Sequence, residues 1–216
     1  MSVVHGFAHI DGKYPSTSSF LITGFNAGKT IGFSASKLQL APNYATVYPT
    51  QSWGSTPTTL AELAATTPFQ IVFNDSQVKR YYFNTWTFAN GTNHPWIVDI
   101  SRTQLENEYA EIYNLGVYLL GNYSNKTFII NQWEGDWALL GNFIDSTNVP
   151  PYRAERMAAN LAVRQKAVND ARKNVRSTSV LLHSVEVNRC LDPSRNTSSQ
   201  RCIPNSKTRY CKFFFI

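Results

Sequence analysis

The sequence predicts an α/β fold: a partial (β/α) barrel of about five parallel strands with intervening helices, followed by an irregular C-terminal tail. Three observations predict it. Two consecutive helix–loop–strand patterns lie between residues 102 and 187, weaker strand and helix patterns precede them in the same alternation, and neither pattern continues beyond residue 189. The first clear unit opens at Ser101-Arg102-Thr103-Gln104, a capping-box spacing, and Leu105, Tyr109, Ile112, Leu115 and Leu119 then recur at helical intervals. A helix over 102–121 follows. The polar turn at 122–126 leads into Thr127-Phe-Ile-Ile-Asn131, a short β-branched and aromatic run suited to a buried strand.

The second unit begins at Pro150-Pro151. Met157, Leu161, Val168, Ala171 and Val175 share one helical face, and basic residues gather near the end, which predicts a helix over 152–175. Val180-Leu-Leu-His-Ser-Val-Glu-Val187 is then strand-like and too apolar for a sheet edge. Upstream, residues 81–88, 37–41 and 3–7 read as strands. Helices are expected over 19–30, despite Gly24 and Gly28, and over 59–65. This order fits either a barrel or an open doubly wound sheet. The first crossover lacks the G-x-G-x-x-G fingerprint, and the candidate chemistry falls at strand C-termini, so the barrel is preferred. A complete eight-unit barrel takes about 250 residues, so five strands by residue 187 make a partial one, of TIM-like type.

Charge and cysteine divide the chain at the same place. The 216 residues carry a formal net charge of +6, but residues 190–216 hold five Lys/Arg against one Asp, together with all three cysteines. The body, residues 1–189, is nearly neutral and reads as one domain, and 190–216 reads as a basic, Cys-containing tail. That distribution does not suit a nucleic-acid-binding surface, since charges interspersed with Ser and Pro are usually solvated. Three cysteines at spacings of 12 and 9 without a CxxC or His pair fit no zinc site, and no metal or cofactor is expected. No apolar run approaches the roughly 20 residues of a membrane span, and the first residues lack the basic and apolar regions of a signal peptide, so localisation is left undetermined. Five Asn-X-Ser/Thr sequons are near chance expectation.

The strongest chemical signal is Asn131-Gln-Trp-Glu-Gly-Asp-Trp137, at the exit of a buried strand, which in a barrel is the active-site rim. Glu134 and Asp136 are groups able to move protons. Trp133 and Trp137 offer flat faces for a sugar ring, and their apolar surroundings raise a carboxylic pKa toward that of a general acid. The alternative is a Trp-anchored strand exit with acidic caps. The second signal is His183-Ser-Val-Glu-Val-Asn188, where Glu186 sits in an otherwise apolar strand and needs partners or a task. Parallel neighbours lie about 4.8 Å apart, so Glu186 can pair with Glu134. A carboxylate separation of about 5 Å retains and one of about 6.5–9.5 Å inverts the anomeric centre. Internal hydrogen bonding of Glu186 in a packed barrel is the equal alternative.

Further candidates are Trp86 and Asn84 as sugar contacts, and His9, which together with His5 and Asp11 can line the same rim or lie in a plain surface loop. Thr23-Gly-Phe-Asn-Ala-Gly28-Lys29-Thr30 ends like a phosphate-binding loop, but Thr stands where its first glycine is required.

On the Trp133–Trp137 block, the Val185-Glu186-Val187-Asn188 block, the long helices and Leu38-Gln-Leu-Ala-Pro-Asn-Tyr44, the chain resembles an uncharacterised family similar to (β/α)8 glycoside hydrolases, over residues 1–189. The resemblance implies a carbohydrate partner, with Glu134 at the acid/base position after strand four and Glu186 or Asp136 as second carboxylate. Trp133, Trp137, Asn131, Trp86, His9 and Asn188 would then hold substrate. Trp133 stands where that superfamily commonly has Asn, and its nucleophile after strand seven has no counterpart among the five strands. A catalytically inactive, truncated carbohydrate-binding or vestigial protein is therefore the alternative expectation. A partial barrel also leaves the outer edges of the first and fifth strands unpaired, which invites self-association.

Overall fold

The computed structural model describes residues 6–10, 19–49, 52–92, 99–133, 135, 139, 151–187 and 211–215. Five parallel strands alternate with helices, as the pattern predicts: β1 (Gly6–Ala8), α1 (Phe20–Thr30), β2 (Ala35–Leu40), α2 (Tyr44–Val47), α3 (Leu60–Ala64), α4 (Thr67–Phe73), β3 (Arg80–Thr85), α5 (Arg102–Asn122), β4 (Thr127–Gln132), α6 (Pro151–Asn174) and β5 (Val180–Val187). A further strand, β6 (Cys211–Phe215), runs antiparallel to β5. The sheet order is β1-β2-β3-β4-β5-β6. A sheet whose parallel strands follow chain order is singly wound, because right-handed crossovers all deliver their helices to one side. That excludes the doubly wound alternative, which needs a reversal of order.

The strand residues divide accordingly. Leu38, Leu40, Tyr81, Phe83, Phe128, Ile130 and Leu181 join the helices in one apolar core. Their alternates form the opposite face, which in a barrel is the interior. Register stacks that face in layers: Ala35, Arg80, Thr127 and Val180 at the strand starts, then Lys37, Tyr82, Ile129 and Leu182, then Gln39, Asn84, Asn131 and Ser184 toward the C-terminal ends.

The capping box at Ser101 forms in full, the Ser101 hydroxyl accepting from the Gln104 amide and the Gln104 side chain accepting from the Ser101 amide. The Pro- and Thr-rich stretch yields two helices where one was expected. Pro68 sits in the first turn of α4, where a missing N–H costs no hydrogen bond, so it starts a helix instead of breaking one. Strand β3 ends at Thr85, three residues earlier than expected. The chain beyond it is captured by α5: the Phe88 and Ala89 amides donate to Glu111 at 3.0 and 2.7 Å, and the Thr87 hydroxyl to Glu108 at 2.7 Å. The expectation of a free outer edge on β5 is corrected, since β6 pairs along Val187–His183, and the tail is not irregular throughout.

Helix α1 forms although it holds two glycines, and its neighbours explain both. A Cβ at Gly24 would lie 2.2 Å from the His9 ring, and one at Gly28 would lie 2.5 Å from the Phe7 ring. The two absent side chains form a groove one turn long that admits β1's helix-facing residues. The Gly28-Lys29-Thr30 sequence is simply the helix's last turn, with Lys29 paired to Asp75 at 2.5 Å.

His9 is hemmed by the Phe20 and Tyr48 rings and bonded to the Phe20 carbonyl, so it cannot swing aside. Gly24→Ala is therefore expected to destabilise the protein by about 1–3 kcal/mol. Gly121→Ala, at an exposed helical site where a Cβ meets nothing, should stabilise it by about 0.5–1 kcal/mol. Urea unfolding midpoints of the two variants check the opposite signs.

Candidate functional site

The polar groups of the inner face converge at the C-terminal ends of β2 to β5. Strand alternation puts Glu186 on the same face as Leu182 and Ser184, and hydrogen bonds fix it there. The Lys37 ammonium donates to Glu186 Oε2 at 2.8 Å, and Asn131 Nδ2 donates to the same oxygen at 3.3 Å. Asn131 Nδ2 also donates to Asn84 Oδ1 at 2.9 Å, and the Ser184 hydroxyl donates to Asn131 Oδ1 at 2.7 Å. Asn84, Asn131 and Ser184 are each at most 5% exposed, so they form a satisfied layer beneath the more open Lys37–Glu186 pair.

Lys37 stands on β2 and Glu186 on β5, with β3 and β4 between. The ion pair is thus a chord across the inner face, and it requires the sheet to be concave on that side. Beyond the strand ends, Trp86 and Trp133 follow the inner-facing alternation of β3 and β4, and their rings meet at 5.8 Å and 58°. Gln39 adds a carboxamide that donates to Asn43 Oδ1 at 2.9 Å.

Of the sequence-predicted residues, the structure brings together Glu186, Asn131 and Asn84 on the inner face and pairs Trp86 with Trp133. His9 is placed elsewhere: it is 3% exposed, faces the helix layer, and its Nε2 lies 3.0 Å from the Phe20 carbonyl. Burial pushes its pKa down against the pull of that carbonyl. It packs the fold and does not line the rim. Glu134, Asp136, Trp137 and Asn188 lie outside the described residues. Lys37 was missed, although Lys37-Leu-Gln-Leu40 already alternates polar with apolar side chains. Among the described residues no group of His, Cys, Asp and Glu could hold a metal ion.

Behind the sheet a second polar network holds the same strand ends from the helix side. Arg164 of α6 is 0% exposed; it pairs with Glu108 at 2.9 Å and donates to the Thr85 carbonyl at 2.7 Å and to the Gln132 side-chain oxygen. Glu108 also accepts from Thr87 and Asn90. Arg164 therefore ties α6 and α5 to the last residues of β3 and β4, from which Trp86 and Trp133 follow. His183, the residue before Ser184 on β5, faces this side. It is 0% exposed, and among the described residues neither ring nitrogen is hydrogen-bonded.

In comparisons with known proteins, no family model, curated protein or solved structure matches the chain. Its class is defined by architecture: a singly wound parallel α/β sheet, TIM-barrel-like over five strands, with an additional antiparallel strand. No helix among the described residues is long and apolar enough to cross a membrane.

Two outcomes follow from the buried network. Burial, and secondarily the Arg164 charge, push the His183 pKa down to about 3 from an ordinary 6.5. Between those values the unfolded chain holds a proton that the folded one does not. Stability is thus complete above about pH 6.5 and falls with pH by up to about 1.4 kcal/mol per unit. Urea titrations from pH 7 to 4 should show this slope, reduced in His183→Leu. Arg164→Met strands Glu108 and should cost about 3–5 kcal/mol, whereas Arg164→Met with Glu108→Gln should cost less; equilibrium unfolding of the single and double variants compares them.

Proposed function

We propose that the concave face binds carbohydrate at the strand C-termini and, with Glu134 as acid/base and Glu186 or Asp136 as second carboxylate, hydrolyses O-glycosidic bonds. The observation that carries the reading is Glu186. It is an ionisable residue near the end of an interior strand, held at defined geometry by Lys37 and Asn131 and accompanied by a carboxamide layer and a tryptophan pair. Sugar recognition uses these parts: amides and carboxylates exchange hydrogen bonds with hydroxyls, and indole faces cover the apolar side of a pyranose ring. Trp133 directly precedes Glu134 in the chain. Glycoside hydrolysis then needs one carboxylic acid to protonate the leaving oxygen and one carboxylate to act as nucleophile or to activate water.

A second reading, binding without turnover, is favoured by one feature. Lys37 and Asn131 both donate to Glu186 Oε2, which suits a carboxylate serving as a fixed hydrogen-bond acceptor for sugar hydroxyls.

Assay of the full chain against a panel of aryl glycosides, together with a glycan array, separates the two. Catalysis predicts turnover that Glu134→Gln lowers by about 10²–10⁴-fold while binding persists. Glycan binding with no turnover establishes the second reading, and absence of both turnover and glycan binding overturns the carbohydrate assignment.

A further inference from the structure

The charge inventory of the concave face bears on which sugars it admits. On that face, from the level of Lys37 to the strand C-termini and among the described side chains, the charged groups are Lys37 and Glu186, and they are paired with each other at 2.8 Å. Arg80, a further inner-face cation among the described side chains, lies one layer below Lys37 at the strand starts and is exposed. The remaining groups, Gln39, Asn84, Asn131 and Ser184, are neutral and carry both donors and acceptors.

We infer that the concave face selects uncharged sugars over uronates and sugar phosphates, because Lys37, the cation that the described side chains of its upper layers offer to an anionic group, is already neutralised by Glu186. This rests on the carbohydrate reading and narrows it. A sugar hydroxyl can donate to Glu186 and accept from an amide in the same pose. A carboxylate or phosphate brings acceptors alone, so beside Glu186 it meets a like charge, and at Lys37 it must share a cation already engaged. The ion pair is positioned to act as a latent anion site: remove the Glu186 charge while keeping its shape, and Lys37 becomes an uncompensated cation facing the ligand.

The register of β6 sets Lys212 opposite Glu186, so the experiment is run in both the natural and the Lys212→Gln backgrounds to isolate Lys37. The probes are matched glycan-array pairs, glucose with glucuronate and galactose with galacturonate, together with glucose 6-phosphate in solution. The unmodified protein is expected to bind the neutral member of each pair about tenfold or more tightly. Glu186→Gln should raise affinity for the acidic members by about tenfold, as expected for one charge-assisted hydrogen bond. That gain should shrink at high salt and vanish in Glu186→Gln with Lys37→Gln.

Preference of the unmodified protein for acidic sugars would overturn the inference and leave the carbohydrate reading standing. So would a folded Glu186→Gln variant that gains no acidic binding. The comparison within the unmodified protein decides the matter even where a variant does not fold. Binding of no saccharide at all would overturn both.

Discussion

The Lys37–Glu186 ion pair is the constraint around which the concave face is arranged. Strands β2 and β5 are three strand spacings apart, about 14 Å along a flat sheet. A lysine and a glutamate reaching toward each other close that gap to a 2.8 Å contact only where the sheet curls between them. Curvature of this kind follows from strand twist and from singly wound crossovers that load one side with helices. The pair spans the concavity so produced. With both side chains partly exposed, it adds at most a modest share of stability. Its consequence is geometric, because the inward alternates of β3 and β4, Asn84 and Asn131, are brought under the chord and hydrogen-bond to one another, and Asn131 also to Glu186.

The convex side carries a compensating arrangement. Burying Arg164 completely is costly unless its charge and donors are met, and Glu108, Gln132 and the Thr85 carbonyl meet them. These partners come from α5, β4 and β3, so one guanidinium joins the helix layer to the points where two strands turn into loops. Glu111 works beside it: burial pushes its carboxyl pKa up, and the amides of Ala89, Phe88 and Leu60 pull it back down. The inner polar layer and the outer ionic network thus grip the same strand ends from opposite sides of the sheet.

Much of this was legible from the chain alone, for identifiable reasons. Helices α5 and α6 and strands β4 and β5 announce themselves because long amphipathic periods, a capping box and buried strand runs are local signals. Glu186 was legible as an ionisable residue in an apolar strand. Helix α4 was hidden because Pro68 reads as a breaker until its place in the first turn is known. Lys37 was hidden because its partner lies 149 residues away, a distance no local pattern spans. Arg164 was hidden because a basic residue on a helix reads as solvated, although it occupies the same stripe as Asn160, Ala167, Val168 and Ala171. His9 is neither on the rim nor in a surface loop, the two places its sequence context suggests. Three residues of β1 give too little alternation to orient it, and the decisive feature, the glycine groove of α1, appears only when the two elements meet.

The tryptophans have an optical consequence. Trp53 packs into the ring cluster of Tyr44, Tyr48 and Phe69 on the helix side, with the Tyr44 ring at 4.8 Å. Trp86 and Trp133 lie 5.8 Å apart at the mouth of the concave face. Two indoles that close share their electronic transitions and produce an exciton pair in circular dichroism, whose sign and size depend on the angle between the rings. The described tryptophans therefore make two intrinsic chromophore environments in one chain, one reporting on the packed core and the other on the disposition of two loop-end side chains.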